Sequence, residues 1–525
     1  MLTELSVAQA DTTIGGMKTL TARLLACALA LAAIPASAQD IDPKGCLYVN
    51  VASAPVHYTG PSLVLTMEGS LNGTPARLLV DTGASDTALT RTGTEPRDMT
   101  LWMTGTSSVG IGGSSRIYRT RYKEFRAGPA AAKSGELRVL HDFGIPLSYD
   151  GILGAPFLLQ ADFEIALAEK QVRFFRPKNC GDSHLAYWDK NAVVIPFEYS
   201  DKRSPNPEFT VLLDGKKLRA IIDSGASTTS VTLHAAKRAG LKLDAPGVER
   251  AGESVGIGDA RVARWVATFG TLQLGNETIR DAQVSVIDTD LGGIDLLLGA
   301  DFLRAHRVLF AMGQRRLYVS YIGGEPLGQR RTIEPWMQRE ADSGNTDAQM
   351  MLSMMYRSGH GVTRDPVQAK AWFDRAAAGG NSYANFSIGR GLMGRGDYAG
   401  AAQRLRQGLD TLPGDRLAAL WLYLARLRLG ENDAARTDLQ KTFARDDKDA
   451  WPTPVARYFL GKLDEEELLE EAREDKPRAR GQVCVAKTMM AERAAAMGEA
   501  ERAKSLLFHR PECGPAQEPV PPKAT

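Results

Sequence analysis

Two aspartates, each followed by a hydroxyl residue and a glycine, are the residues of this chain best suited to chemistry. Asp-Thr-Gly-Ala lies at 81–84 and Asp-Ser-Gly-Ala at 223–226, so the copies are 223 − 81 = 142 residues apart. Two carboxyl groups that meet closely cannot both ionise, so such a pair holds one acid and one base around a single water. The base takes a proton from the water as it attacks a carbonyl carbon, and the acid donates to the developing oxyanion. We therefore predict that Asp81 and Asp223 activate a water together.

The residues that follow each aspartate suit the support of such a pair. Thr82 and Ser224 carry short hydroxyl side chains that can hydrogen-bond across an interface and hold two loops in register. Gly83 and Gly225 allow a tight turn and a close approach of the backbone. We predict that these four residues position the carboxyl groups.

Two further landmarks repeat in the same order and at nearly the same offset. Ser-Val-Gly-Ile-Gly occurs at 108–112 and at 254–258, an offset of 254 − 108 = 146 residues. Ile-Leu-Gly-Ala-Pro-Phe-Leu at 152–158 is echoed by Leu-Leu-Gly-Ala-Asp-Phe-Leu at 297–303, an offset of 297 − 152 = 145 residues. The apolar run before each aspartate predicts a buried strand that ends at the carboxylate. The chain therefore contains one module written twice, and each copy supplies one aspartate.

These motifs resemble the retropepsin-like branch of the pepsin/retropepsin superfamily, and the resemblance covers residues 47–322. Asp-Thr/Ser-Gly-Ala is the retropepsin form of the active-site motif, and the apolar-apolar-Gly segments match the strand that packs against the active-site loop. The resemblance implies two tandem all-β lobes, at 47–178 and 192–322, that form a pepsin-like bilobal unit. It also implies that Asp81 and Asp223 are the catalytic residues of an aspartic endopeptidase.

The repeated Gly-rich segments lie where such lobes carry a flap hairpin. A phosphate-binding loop is the alternative for 110–113, but this segment lacks the spacing of a dinucleotide fingerprint and the lysine of a P-loop. We therefore expect one flap in each lobe. The flap candidates are Gly110, Ile111, Gly112, Gly256, Ile257 and Gly258.

The amino-terminal segment predicts export. A basic region that ends at Arg23 precedes an apolar core at 24–34 and a small-residue cleavage site at 36–38. Residues 1–38 are thus a predicted signal peptide, with Met17 as an alternative start. Because the apolar core is too short to span a membrane, we expect a periplasmic or secreted protein with no membrane span after cleavage.

Cysteine usage agrees with export. Four cysteines follow the predicted signal peptide: Cys46 and Cys180 flank the first lobe, and Cys484 and Cys513 flank a predicted helical hairpin. Of the three connectivities that four cysteines allow, we favour 46–180 with 484–513. There is no Cys-x-x-Cys and the histidines are few and scattered, so we expect neither a metal site nor a cofactor.

Charge and length limit the remaining possibilities. The chain has 525 residues, with 64 basic against 62 acidic side chains and a net charge of +2. Three or more domains are expected from this length. The balanced charge gives no electrostatic reason to expect nucleic acid as a partner.

From residue 331 onward the composition changes to Ala/Leu/Arg-rich stretches with helical spacing. The order of residues after Gly344 resembles the SLR class of tetratricopeptide-like repeats, and it restarts at Gly380, 380 − 344 = 36 residues later. We expect an α-helical repeat solenoid over 331–513, followed by a disordered Pro-rich tail at 514–525. Such a solenoid offers a surface for a protein partner.

The predicted fold class is therefore multidomain β + α, with two tandem all-β lobes and then an α-helical solenoid. The predicted function is an exported aspartic endopeptidase that cuts polypeptides, with the helical repeats recruiting protein. The alternative is a non-catalytic periplasmic scaffold that binds peptide or protein on the same lobes.

Overall fold

The computed structural model describes residues 39–42, 45–140, 147–199, 206–258, 260–327, 332–444, 451–475, 478–508 and 513. The predicted signal peptide and the predicted disordered tail lie outside the described residues. The chain divides into a β-rich unit that ends at Pro335 and a helical unit that begins at Trp336. The predicted fold class, β-rich lobes followed by helical repeats, is confirmed.

The first lobe is built of strands with two short helices, and 3-10 turns at Glu95–Arg97 and Leu167–Glu169. In chain order its elements are β1 (Gln39–Asp42), β2 (Cys46–Pro55), β3 (His57–Thr59), β4 (Val64–Leu71), β5 (Thr74–Val80), β6 (Ala88–Thr90), α1 (Arg91–Thr94), β7 (Trp102–Gly110), β8 (Gly113–Ala127), β9 (Ala130–Leu140), β10 (Gly151–Leu153), α2 (Ala155–Leu158), β11 (Asp162–Ala166) and β12 (Gln171–Lys178).

The second lobe repeats this plan with fewer strands. In chain order its elements are β13 (Val193–Pro196), β14 (Phe209–Leu213), β15 (Lys216–Ile222), β16 (Ser230–Thr232), α3 (Leu233–Arg238), β17 (Glu249–Ser254), β18 (Val262–Leu274), β19 (Glu277–Ile287), β20 (Leu296–Leu298), α4 (Ala300–Ala305), β21 (His306–Ala311) and β22 (Arg316–Tyr321).

Each lobe has a sheet of its own, and the two sheets share one arrangement around the aspartate. The strand orders are β3-β4-β5-β10-β6-β9-β8-β7 and β14-β15-β20-β16-β19-β18-β17. In each sheet the strand that ends at the aspartate, β5 or β15, pairs in parallel with the short strand of the apolar-apolar-Gly segment, β10 or β20. Both partners are interior strands, which explains why the runs Leu78–Val80 and Ala220–Ile222 are apolar and buried.

The helical unit consists of antiparallel helices joined by short turns. Asn345 and Asn381, 36 residues apart, each cap the first helix of a pair, because their side chains accept hydrogen bonds from backbone amides of the first turn. Its elements are α5 (Pro335–Asp342), α6 (Thr346–Ser358), α7 (Pro366–Ala378), α8 (Ser382–Gly394), α9 (Tyr398–Thr411), α10 (Arg416–Arg428), α11 (Asn432–Phe443), α12 (Thr453–Phe459), α13 (Glu465–Glu474), α14 (Ala479–Ala496) and α15 (Ala500–Phe508).

Burial in this unit is densest around α10, where residues Ala418–Ala425 are all buried. The helix is apolar on every side because it packs between neighbouring helices. Farther along, a disulfide joins Cys484 in α14 to Cys513. Among the described residues, no helix is both long and apolar enough to cross a membrane.

A third sheet, which no repeated motif in the sequence predicts, joins the two lobes. Its order is β1-β2-β12-β11-β21-β22-β13, so strands of both lobes form one continuous ladder. The join is the antiparallel pair β11–β21, where Phe163 of the first lobe lies opposite Phe310 of the second. The Cys46–Cys180 disulfide links the start of β2 to the residues just after β12. Shared backbone hydrogen bonds therefore fix the lobes to each other.

Charged side chains reinforce this join. Arg307 of the second lobe donates to Glu164 of the first at 2.9 Å, and Arg173 donates to the same carboxylate oxygen at 2.6 Å. Glu164 is fully buried. A buried carboxylate is tolerated only when cations and donors surround it, so this network depends on the two lobes being together.

Asp162, at the start of β11, ties the lobes by a second route. One of its oxygens accepts a 2.8 Å hydrogen bond from the backbone amide of Met312, in the turn between β21 and β22, and the other accepts from the Tyr48 hydroxyl at 3.1 Å. Burial raises the pKa of Asp162 to about 6, and the hydrogen bonds oppose that rise only in part. This carboxyl group should therefore make the stability of the β-rich unit depend on pH.

We predict that Asp162→Asn flattens this pH dependence. Because the folded-state pKa exceeds the ordinary value of 3.8, the folded protein holds the proton more tightly, and stability falls as the pH rises from about 4 to about 6. The amide cannot ionise but keeps an oxygen for the Met312 amide. Relative to wild type, the unfolding free energy of the variant should gain up to about 3 kcal/mol between about pH 4 and about pH 7, measured by urea denaturation.

Asp182→Asn is the matched control, because the Asp182 side chain is 95% exposed. Its stability relative to wild type should be the same at both pH values. An equal response of the two variants would contradict the assignment to Asp162.

Candidate active site

The two aspartates occupy equivalent turns at the ends of β5 and β15. The Asp81 amide donates to Leu153 O at 3.1 Å, and the Asp223 amide donates to Leu298 O at 2.9 Å. Each carboxylate folds back on its own loop. Its Oδ1 accepts hydrogen bonds from the backbone amides two and three residues later in the chain. These bonds are Gly83 N at 2.9 Å and Ala84 N at 2.9 Å for Asp81, and Gly225 N at 3.0 Å and Ala226 N at 3.1 Å for Asp223. Backbone amides of its own loop therefore orient each carboxylate.

Thr82 and Ser224 interlock the two turns. The Thr82 hydroxyl donates to Ile222 O at 2.7 Å and accepts from the Ser224 amide at 3.1 Å. Reciprocally, the Ser224 hydroxyl donates to Val80 O at 2.7 Å and accepts from the Thr82 amide at 3.0 Å. Both side chains are buried. Each hydroxyl thus satisfies one donor and one acceptor of the opposite lobe, which fixes the two loops against each other.

The glycines allow the carboxyl groups to meet. A Cβ added to Gly83 would overlap the carboxylate of Asp223, and a Cβ added to Gly225 would overlap that of Asp81. The two carboxyl groups are hydrogen-bonded to each other. Any side chain at either glycine would separate them, so the sequence requirement for glycine is steric at both positions.

Burial and mutual repulsion make this pair hold a proton. Burial, then the charge of Asp223, then the hydrogen bond to Asp223 raise the pKa of Asp81 well above its ordinary value, and amides of its own loop oppose the rise. Burial also raises the pKa of Asp223, against the hydrogen bonds from Asp81 and from the amides of its loop. Both carboxyl groups therefore hold a proton more readily than an ordinary aspartate does, and both side chains are only half-buried.

The two Gly-rich segments lie at the tips of the β7–β8 and β17–β18 hairpins, and the tips touch. The Ala260 amide donates to Gly112 O at 2.9 Å. A Cβ on Gly110 would lie 2.6 Å from the Cβ of Ile257, and one on Gly112 would lie 2.7 Å from Gly258 O. The backbone of each tip therefore lies against the opposite tip with no room for a side chain at Gly110 or Gly112. Gly256 approaches Ile111 in the same way, so all six flap candidates lie in this contact.

Ile257 extends from the second flap into the first lobe. It packs against an apolar cluster beneath the first flap, and Ala84 of the first active-site loop borders the same cluster. The second flap thus reaches across to the aspartate loop of the first lobe. The cluster comprises Leu79, Ala88, Ile117, Leu140, Leu147 and Ile152.

Three residues around the loops that carry the aspartates were missed by sequence reasoning. Asn206 donates from its side-chain amide to Thr82 O at 2.6 Å, and it carries no motif that could have identified it. Tyr149 has a pKa raised by burial and by the charge of Asp81, so it lies near that carboxylate. Asp301 accepts from the Thr229 amide at 2.7 Å and hydroxyl at 2.8 Å. The sequence did offer a signal for Asp301, because it stands where the first copy of the repeated segment has Pro156 and the neighbouring residues match.

No group of three or more His, Cys, Asp or Glu within the described ranges is arranged to hold a metal ion. The described site consists of two carboxyl groups, backbone amides and hydroxyls. Such a set can hold and transfer one proton and can orient a water between the carboxyl groups.

Comparison with protein families agrees with this arrangement. The model of the aspartyl protease family matches residues 67–157 and 209–302, one segment in each lobe. Each segment contains one aspartate turn and one apolar-apolar-Gly strand. A Sel1 repeat model matches residues 346–381, which cover α6 and α7. This chain therefore carries two tandem aspartyl protease family segments, followed by a Sel1 repeat in its helical unit.

Proposed function

We propose that this protein is an exported aspartic endopeptidase in which Asp81 and Asp223 activate a water against a peptide carbonyl. The observation that carries the proposal is the hydrogen-bonded carboxyl pair, held by equivalent turns of two lobes. The family match of both lobes supports the same reaction. A polypeptide is the substrate that this family match favours.

The reaction follows from the shared proton. The ionised aspartate removes a proton from water as the oxygen attacks the carbonyl carbon. The protonated aspartate donates to the carbonyl oxygen, which would otherwise become an oxyanion in a half-buried site. As the C–N bond of the tetrahedral intermediate breaks, the aspartate that took the proton from water passes it to the amine that leaves, and the other aspartate takes back a proton from a hydroxyl of the intermediate. The pair then holds one proton again, so no other residue needs to change its charge.

The flaps complete this mechanism. Their tips are in contact, and we infer that they separate to admit a polypeptide. Once closed over the substrate, they exclude water from the carboxyl pair and strengthen its electrostatic effect.

The two disulfides support export, because such bonds persist in oxidising compartments. We also infer that the helical repeats recruit proteins to the protease. Stacked helical hairpins present extended surfaces suited to protein partners. Hydrolysis of a denatured protein by the purified chain distinguishes this function from the non-catalytic scaffold, which would bind the substrate and leave it intact.

The first prediction from this proposal concerns Asp81→Asn and Asp223→Asn. Each keeps the shape of the side chain but removes one member of the proton-sharing pair, so kcat should fall by about 10³-fold or more in both variants. Circular dichroism should show an unchanged fold. Asp182→Asn, at an exposed aspartate, should keep full activity. Substantial turnover by either active-site variant would exclude the pair as the catalyst.

The pH dependence of activity follows from the raised pKa values. The active form carries one proton on the pair, so kcat/KM should follow a bell-shaped curve. Since burial raises the pKa of both aspartates, both limbs should lie above the ordinary aspartate value of 3.8. Initial rates with a short fluorogenic peptide across acidic to neutral pH measure this. An optimum below about pH 3.5 would be inconsistent with the buried pair.

A truncation tests the division of labour between the two units. A chain that ends at Pro335 retains the carboxyl pair, both flaps and the interlobe sheet. It should cleave a short unstructured peptide as fast as the full chain does, and it should cleave a native protein target more slowly. Loss of cleavage of both substrates by a folded truncated chain would assign the helical unit to catalysis.

A further inference from the structure

We propose that charged residues of the first lobe select substrates with an acidic side chain on one side of the scissile bond. The residues concerned form a row across four neighbouring segments of the sheet, and we call them the arginine row. The proposal rests on the proposed function and names the substrate class of that site. The row consists of Asp86, Arg138, Arg119 and Trp102, with Arg121 and Glu136 in the next position along the strands.

The register of the strands places these residues side by side. Arg119 of β8 lies opposite Arg138 of β9 on one flank and opposite Trp102 of β7 on the other. Arg138 forms an ion pair with Asp86, which stands five residues after Asp81 in the active-site loop. The guanidinium of Arg121 lies 5.4 Å from the centre of the Trp102 ring. The row therefore starts at the active-site loop and runs outward across the sheet.

The row shares a face of the sheet with the apolar cluster beneath the flaps. Ile117 of β8 lies opposite Leu140 of β9, and Arg119 and Arg138 form the pair two residues along the same strands. Side chains two residues apart on a strand point to the same side of the sheet. Ile117 and Leu140 belong to the cluster that contacts Ile257 and Ala84. The arginines thus lie about 7 Å along the strands from that cluster. An extended substrate spans this distance with about two residues.

The arginines can exchange their present partners for a substrate carboxylate. The side chains of Arg119, Arg138 and Asp86 are each about half exposed. Glu136 is shared, because it lies 3.5 Å from Arg119 and 3.2 Å from Arg121. Exposed ion pairs of this kind contribute about 0–1 kcal/mol, so they compete weakly with a ligand. Two arginines directly across a ladder also repel each other, and a carboxylate between them would relieve the repulsion.

The second lobe has uncharged residues at the two positions equivalent to Arg119 and Arg138. Arg119 lies opposite Arg138 in the first lobe, and in the second lobe Val266 lies opposite Ser285. The Ser285 and Thr228 hydroxyls lie 3.4 Å apart, and Thr228 is five residues after Asp223. The Arg138–Asp86 ion pair occupies the equivalent place in the first lobe. Val266 is buried. At this pair of positions only the first lobe carries cations, so we expect acidic side chains to be selected on the side of the first lobe.

The test is a binding selection that does not depend on cleavage. The full chain with Asp81→Asn is used to select from a randomised peptide library, alongside the same chain with Arg119→Gln and Arg138→Gln added. We expect Glu or Asp to be enriched about tenfold at one position by the first protein and not by the second. A third protein, Asp81→Asn with Arg126→Gln and Arg280→Gln, removes two exposed arginines elsewhere in the sheets and should retain the enrichment.

The wild-type chain is incubated with the same library, and its cleavage products are sequenced by mass spectrometry. Acidic enrichment that needs Arg119 and Arg138 supports the proposal, whether or not the wild type cleaves. No acidic enrichment, or enrichment that persists without the two arginines, overturns it, even if the wild type cleaves well. Absence of cleavage by a folded wild-type chain overturns the proposed function separately.

Discussion

The close meeting of two carboxyl groups at a partly dry interface is the constraint on which the β-rich unit depends. The two carboxyl groups can meet only if positions 83 and 225 carry no side chain, because a Cβ at either position would overlap the carboxylate of the other lobe. This explains Gly83 and Gly225. The repulsion must also be offset by a fixed framework, which the reciprocal hydroxyl bonds of Thr82 and Ser224 provide. The interlobe sheet then keeps the two lobes, and so the two loops that carry the aspartates, at a fixed distance from each other. The contacts that hold the interface together are therefore also the contacts that keep the two carboxyl groups close.

How much the sequence could predict depended on whether a feature was repeated. Asp81 and Asp223 were identifiable because their motifs occur twice at a constant offset. The interlobe sheet was not, since the pairing of Phe163 with Phe310 joins strands far apart in sequence that carry no shared motif. Asn206 was missed for the same reason, because a single amide that binds a backbone oxygen leaves no pattern. The position of Ile257 against the other lobe depends on how the two flaps meet, which composition does not encode.

Joining two copies in one chain lets each copy change alone. The helix that follows the apolar-apolar-Gly strand begins with Ala-Pro in the first lobe and Ala-Asp in the second, and Asp301 holds Thr229 only in the second. A symmetric pair of identical subunits would have to carry any such substitution on both sides. Here the common framework at the aspartates is retained while the surrounding surface differs between lobes.

The flap tips have a consequence for what the closed site can recognise. Four of the six residues where the tips meet are glycines, Gly110, Gly112, Gly256 and Gly258, so peptide groups form much of this surface beside Ile111 and Ile257. Peptide groups recognise other peptide groups and are indifferent to side-chain identity. The flap tips would therefore bind any extended chain about equally well. Discrimination among polypeptides would then depend on the side chains that surround the rest of the site.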